Sequence, residues 1–313
     1  RVEYNHANEG GGAIFFVSND RSGSLVIRDS VLVSNRSDGF ETRGYPGIFV
    51  LANGPPRVEN SIIGDYPEVP DVCPNGATCD SVIFHDSGGR WHAWSAVASK
   101  HSEEVFYFGD PGDVAFSGDW DCDGIDTPGL YRRSDGAVYL RNSNTQGVAD
   151  VRFFFGNPGD LPLAGDFDGD GCDSLSIYRP SESRIFIINE LGSNDAGLGA
   201  AEFDFFFGNP GDKPFVGDFD GNGVDTVGLH RESTGLVYFR NTLTTGIAHS
   251  QFIYGDPGDV LVAGDWDGDG DDTVAVYRPS NGLLYVKLNN TQGYADAAIP
   301  AGNGYRGLAP HGR

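Results

Sequence analysis

The sequence predicts an all-β protein. The expected fold is a five-bladed β-propeller, with one blade assembled from both ends of the chain, preceded by a short partial β-helix. Three observations lead there. An acidic octet recurs four times, a longer aromatic repeat surrounds each octet, and half-repeats stand before and after the full ones. Composition agrees: Gly is abundant at 46 of 313 residues, Phe and Tyr are frequent, and no long helical period is present. That pattern suits many short strands joined by turns.

The octets run from Asp119, Asp166, Asp218 and Asp265, and start 47, 52 and 47 residues apart. Position 1 is Asp119, Asp166, Asp218 or Asp265, position 3 is Asp121, Asp168, Asp220 or Asp267, and position 5 is Asp123, Asp170, Asn222 or Asp269. Position 6 is always Gly, and position 8 is Asp126, Asp173, Asp225 or Asp272. Side-chain oxygens at 1, 3, 5 and 8 of a short loop can converge on one point, and oxygen-only ligation suits a hard cation such as Ca²⁺. Position 7 varies (Ile125, Cys172, Val224, Asp271), as expected where only its carbonyl serves. Four Ca²⁺ sites are therefore expected. They are not EF-hands, because the residues at position 12 are Leu130, Ile177, Leu229 and Val276 rather than Glu.

Around each octet lies a unit that opens on an aromatic run and a Gly-Asp/Asn-Pro-Gly-Asp turn, as in Phe106–Asp113, Phe153–Asp160, Phe205–Asp212 and Phe252–Asp259. Each unit offers four strands: the aromatic run, a segment such as 261–264, a run such as Val274–Arg278, and a last one such as Leu236–Arg240. Four short strands per unit of this length mark a propeller blade. Residues 81–94 match the third and fourth strands, and 298–312 resemble a first and second. Joined, these two halves make a fifth blade and leave no open edge. The four Cys allow three pairings, of which Cys73–Cys79 with Cys122–Cys172 is preferred. Residues 1–68 do not fit the repeat. Their apolar segments recur at offsets of 31 to 34 residues, as in the last coils of a right-handed parallel β-helix. The expected division is 1–68 and 69–313.

Formal net charge is −24, which argues against nucleic-acid binding. Fifteen of the acids sit at the ligand positions of the octets, and four Ca²⁺ would reduce −24 to −16. No apolar stretch approaches a membrane span of about 20 residues. The chain starts at Arg1 and holds no Met, so it is read as a piece of a longer precursor.

With their Tyr-Arg-Pro third strands, the octets resemble the FG-GAP and VCBS-type repeats of secreted bacterial proteins, over roughly residues 71–313. The family loop carries Asp at position 9; here Thr127, Ser174, Thr226 and Thr273 stand there. The resemblance implies an extracellular Ca²⁺-binding propeller used in adhesion or in recognising carbohydrate or a surface protein. Residues 1–68 resemble the end of bacterial β-helix proteins, a fold that includes polysaccharide lyases.

Ligand candidates are the third-strand pairs Tyr131/Arg132, Tyr178/Arg179, His230/Arg231 and Tyr277/Arg278, since an aromatic beside a planar donor suits a sugar. A bland alternative is that each Arg bridges to an Asp of its own blade. The competing reading is a fragment of a polysaccharide lyase or glycoside hydrolase. That needs one asymmetric set of acid and base groups. The carboxylates instead come in repeated sets, so catalysis is not expected. The non-repeated His85, Asp86, Arg90, Trp91, His92 and Trp94 are the only enzyme-like cluster, read chiefly as packing.

Overall fold

The computed structural model describes residues 103–191, 201–301 and 305–310 without a break, 79–80, 82–86 and 89–94, and, before residue 65, 2–3, 6–7, 13–28, 31–33, 36–37, 42, 45, 48–59 and 62–64. The chain divides into two compact units, Arg1–Pro70 and Asp71–Arg313. No helix among the described residues is long and apolar enough to cross a membrane.

The first unit is built of short parallel pairs that set one copy of the offset segment beside the next. Ile14–Val17 pairs with Ile48–Leu51, Val26–Arg28 with Arg57–Glu59, and Val31–Val33 with both Val2–Glu3 and Ile62–Gly64. In-register stacking places like on like: Phe15 lies over Phe49 with ring centroids 5.0 Å apart. Ile27, Leu32 and Ile48 form a small buried core.

The second unit holds five four-stranded antiparallel sheets. Blade 1 runs from inside out as Val114–Gly118, Thr127–Arg132, Ala137–Leu140 and Val151–Phe154. Blade 2 is Leu161–Gly165, Ser174–Arg179, Arg184–Ile188 and Phe203–Phe206. Blade 3 is Lys213–Gly217, Thr226–Arg231, Leu236–Phe239 and Ser250–Ile253. Blade 4 is Val260–Gly264, Thr273–Arg278, Leu283–Val286 and Ala297–Pro300. Blade 5 is Tyr305–Pro310, Val82–Asp86, Arg90–Trp94 and Glu103–Tyr107.

The innermost strands touch in a closed circle. Val114–Gly118 lies against Leu161–Gly165, that strand against Lys213–Gly217, the next against Val260–Gly264, and Tyr305–Pro310 closes the circle between blades 4 and 1. The unit is a five-bladed β-propeller. Its core lies between blades: Phe116, Trp120, Phe153 and Phe155 of blade 1 and its flank pack on Leu175, Ile177 and Ile188 of blade 2, and later pairs repeat the pattern.

Two details differ from the sequence reading. The aromatic run is not the first strand of its own unit but the outermost strand of the preceding blade, as Val151–Phe154 pairs with Ala137–Leu140. The Pro-Gly-Asp turn after it is therefore a passage between blades. The expected four-strand unit is right in content and shifted by one strand in phase. As a consequence blade 5 takes one strand from the C-terminal end and three from the N-terminal side. Tyr305–Pro310 pairs with Val82–Asp86, with Phe84 opposite Leu308, whereas Ala297–Pro300 completes blade 4. Cys122 and Cys172 are bonded, S–S 2.07 Å. Cys79 is disulfide-bonded, and Cys73 lies outside the described residues.

Blade 5 gives a test of closure. Deleting 305–313 should bare the edge of Val82–Asp86 and open the ring. The expected result is a lower melting temperature with association seen by light scattering. A truncated protein equally stable and monomeric would contradict the closed ring.

Candidate metal centre

Each octet links the innermost strand of a blade to its second strand. Position 2 anchors it: Trp120, Phe167, Phe219 and Trp266 are buried, and the two indoles donate to the Thr127 and Thr273 carbonyls at 3.1 and 2.9 Å. From that anchor the loop folds over the position-1 carboxylate. The Asp119 oxygens accept from the amides of Asp123 (3.0 Å) and Gly124 (2.8 Å). Asp166, Asp218 and Asp265 repeat the arrangement with Gly171, Gly223 and Gly270. The position-5 side chain accepts from the amide of position 7, at 2.9 Å for Ile125, Cys172 and Val224 and 3.0 Å for Asp271. The loop thus sets its own geometry.

These bonds bring three carboxylates together. Oxygens of Asp119, Asp121 and Asp123, of Asp166, Asp168 and Asp170, and of Asp265, Asp267 and Asp269 lie within 4.8 Å of one another, and each set can hold a metal ion. The third octet has the same frame with Asn222 in place of the third acid. Crowding has an electrostatic cost. Burial, then the charges of Asp123 and Asp119, push the Asp121 carboxyl up, and Asp168 and Asp267 are raised in the same way. A dication among them would relieve that repulsion. Oxygen-only donors on one short loop match the chemistry of a hard cation.

Position 8, expected as the fourth ligand, is engaged elsewhere. Asp173 Oδ2 accepts from the Asp119 amide of the preceding blade at 2.8 Å, and the Asp173 amide donates to the Asp119 carbonyl at 2.9 Å. Asp225 with Asp166 and Asp272 with Asp218 do the same. Asp80 does so for Asp265, at 2.7 and 3.0 Å. These Asp are all buried, as is Asp126, the position-8 residue of blade 1. A buried amide at the start of each loop needs an acceptor, and the neighbouring carboxylate is the one within reach. Sequence reading missed Asp80, although Cys79-Asp80-Ser81 mirrors Ile125-Asp126-Thr127.

Position 7 also reaches across. Cys172 bonds to Cys122, which sits at position 4 of the preceding octet. A Cβ on Gly169 would meet Val224 at 3.1 Å, and one on Gly221 would strike the Asp271 carboxylate. Position 4 lies at positive φ (Gly169 78°, Gly221 65°, Gly268 74°), and Cys122 holds it at 63°. The disulfide is one instance of a contact that recurs at other blade junctions.

The Tyr/Arg pairs are clamps rather than free ligand groups. Arg132 grips Asp113 through Nε (2.9 Å) and Nη2 (2.8 Å), and Arg179–Asp160, Arg231–Asp212 and Arg278–Asp259 repeat the fork. The same Asp accepts from the amide that opens its Pro-Gly turn, at 2.8 Å for Asn157 and 2.9 Å for Asn209. Each guanidinium lies over a third-strand ring, Tyr139, Phe186, Tyr238 or Tyr285. Tyr131, Tyr178, His230 and Tyr277 are buried, and Tyr131 Oη donates to the Asn157 carbonyl at 2.8 Å. Burial and the Asp160 charge push that phenol up to about 12. The bland alternative holds: charge pairing with a buried Asp wins over exposure to a ligand.

In blade 5 the clamp is inverted. Asp86 stands where the other blades have Arg, and accepts from Arg90 Nε at 2.7 Å, with His92 Nε2 at 3.4 Å. Trp91 Nε1 donates to the Phe108 carbonyl at 2.9 Å, and His85 packs on Trp91 at 5.1 Å. The Trp94 side chain lies outside the described residues.

Sequence reading also missed a rim loop between the third and outermost strands: Thr145-Gln-Gly-Val148, Thr244-Thr-Gly-Ile247 and Thr291-Gln-Gly-Tyr294. Arg141, Arg240 and Lys287 donate to the carbonyls of Val148 (2.7 Å), Ile247 (2.8 Å) and Tyr294 (3.1 Å). The three apolar side chains are 81%, 86% and 96% exposed. The Thr-x-Gly repeat was the signal available.

No family model and no curated protein matches the chain. Among solved structures it is similar to BBS1N in complex with ARL6DN, at 11% identity and TM-score 0.40 over 76% of this chain and 83% of that one. An Agrocybe aegerita lectin that recognises non-reducing terminal N-acetylglucosamine gives 15%, TM-score 0.39, 71% and 62%. The Dos1 propeller gives 13%, TM-score 0.34, 72% and 59%. The chain thus spans less than two thirds of the last two. These likenesses concern the fold alone.

The clamp sets an acid response. Burial alone would raise the Asp212 carboxyl, but hydrogen bonds from Arg231, Tyr238 and the Asn209 amide outweigh it and hold it below the usual value. A depressed carboxyl stabilises the fold above its unfolded value of about 3.9, and that share is lost as pH falls through the folded value. Asp212→Asn should cost roughly 1–3 kcal/mol at neutral pH and flatten the acid limb of a melting-temperature profile. An unchanged acid limb would show that this clamp is not a source of the response.

Proposed function

We propose that the propeller is a calcium-stabilised, non-catalytic recognition module of an extracellular protein, with carbohydrate or a surface protein as partner. The observation that carries this reading is the threefold recurrence of converging carboxylates at positions 1, 3 and 5 of equivalent loops, all on one face of the ring. The octet at Asp218 joins them as a fourth site, with the Asn222 amide oxygen as donor. The position-7 carbonyls of Ile125, Cys172, Val224 and Asp271 complete each set. Position 8 is left out, because its carboxylate holds the neighbouring blade.

The ion's task is structural. It neutralises like charges that face one another across a short loop and fixes the joint between the two inner strands. Millimolar Ca²⁺ outside cells, and a disulfide between Cys122 and Cys172, favour an oxidising, extracellular setting. The parallel ladders of residues 2–64 support reading the first unit as the end of a β-helix. The blade 5 cluster does not favour catalysis, since Asp86 is bound to Arg90 within its own hairpin.

Calcium titration followed by calorimetry tests the reading. Four ions should bind, in the range of about 10⁻⁴–10⁻³ M usual for extracellular modules. At a hundred times its dissociation constant each would stabilise the fold by about 2.7 kcal/mol. Asp265→Ala should remove one ion and leave three. Protein that holds no metal in excess calcium would refute the proposal, and so would a single substitution that emptied every loop.

A further inference from the structure

We infer that the groove along the outer part of blade 1, where it meets the turn leading in from blade 5, is a binding site for a neutral saccharide. The inference rests on the recognition reading above and gives it a place and a ligand class. The groove encloses a volume of about 540 Å³. That lies within the range of about 300–1,000 Å³ usual for ligand sites.

Its floor is a row of polar groups in fixed order. Asp110 comes first, 71% exposed at its side chain and bonded to Arg132 Nη2 at 2.5 Å. Arg132 Nη1 then donates to Tyr139 Oη at 3.1 Å, and the Arg152 guanidinium lies over the far part of the same ring, 5.3 Å from its centre. The row cannot collapse, because Arg132 is also forked onto the buried Asp113. Above it the rim loop sets Val148, 81% exposed, as an apolar lip.

Charge selects the class. Two guanidinium groups face two carboxylates, so the groove has no net charge, and a chain at −24 repels a polyanion. Sugar hydroxyls both donate and accept, which matches the Asp110 carboxylate as acceptor, the Tyr139 hydroxyl and the Arg152 guanidinium as donor, with Arg132 holding Asp110 and Tyr139 in place. The C–H face of a pyranose suits the Val148 lip. Blade 1 also differs at this place from blades 2, 3 and 4. Opposite the third-strand ring the outermost strand carries Arg152 in blade 1, but Asp204, Gln251 and Ala298 in blades 2, 3 and 4. An outermost-strand cation at that point is therefore found in blade 1 and not in blades 2, 3 or 4; the second guanidinium over the blade 2 ring is Arg184 of the third strand, which is paired with Asp204.

The test is a glycan array spanning neutral, uronate-bearing and amino-sugar oligosaccharides, probed with the full chain, then titration calorimetry on the best neutral hit. Asp110→Asn, Arg152→Gln and Val148→Asp should each weaken binding roughly tenfold or more with the melting temperature unchanged. Gln251→Ala, at the equivalent place in blade 3, should leave it intact. Neutral-glycan binding that survives all three changes overturns this site and leaves the recognition reading standing. Loss of a preferred uronate or amino-sugar instead overturns the neutral class. Failure of the wild type to bind any glycan overturns the inference, and the carbohydrate branch of the recognition reading with it, while the calcium titration stands apart from both.

Discussion

The ring depends on one reciprocal bond between blades. At four blade junctions among the described residues, a position-8 Asp, or Asp80 in blade 5, accepts from the amide that begins the neighbouring octet and returns its own amide to that residue's carbonyl, as Asp225 does for Asp166. The pair satisfies a buried donor and a buried acceptor beside the innermost strands. A hydrogen bond to a charged group is worth about 1.5–3 kcal/mol, and leaving the buried amide unmade costs a comparable amount. Repetition makes the effect collective. The inner strands can lie side by side only if every junction closes, so the carboxylate at position 8 belongs to the architecture and those at 1, 3 and 5 are left to the loop.

That division explains what the sequence could and could not disclose. The octets, the four-strand repeat and the composite fifth blade were legible because they are periodic and local. The phase of the blade was not. Val151–Phe154 and Leu161–Gly165 flank a Pro-Gly turn that reads as a hairpin, yet Asp160 binds Arg179 and carries the chain to the next sheet. Spacing alone cannot tell a hairpin turn from a passage between sheets. The role of position 8 was hidden for a related reason: an Asp among four in one octet reads as a fourth ligand until its partner, some 50 residues away in sequence, is known. The clamp could have been found. Asp113–Arg132, Asp160–Arg179, Asp212–Arg231 and Asp259–Arg278 all stand 19 residues apart, and a constant offset between opposite charges in a repeat signals a contact.

Cross-blade contacts then tie each loop to its neighbour. Position 7 of one octet rests on position 4 of the preceding one, through a disulfide at Cys172–Cys122, an apolar contact at Val224–Gly169 and a carboxylate at Asp271–Gly221. The third case is informative. The octet at Asp218 has lost one acid to Asn222, and the neighbouring Asp271, whose carboxyl is raised by burial and then by Asp269, Asp218, Asp220 and Asp265, stands over it. The junction restores locally the charge that the octet lacks. Side chains at a variable position are thus chosen by the loop they meet, and not by the loop they belong to.

Antiparallel sheets sort these devices onto two faces. Loops between the first and second strands and between the third and fourth must emerge at one end of a blade, and the remaining turns at the other. The octets and the rim loops therefore share a face, and Asn144 and Asn290 fasten them by donating to the Asp126 and Asp272 carbonyls at 2.9 and 2.7 Å. The opposite face carries the Arg–Asp clamps. Ordering an octet consequently orders the rim loop bonded to it, with Val148 and Tyr294 presented at its tip. A ring stiffened on both faces can hold side chains in solvent at fixed separation, and a recognition surface requires that constraint more than it requires any one contact.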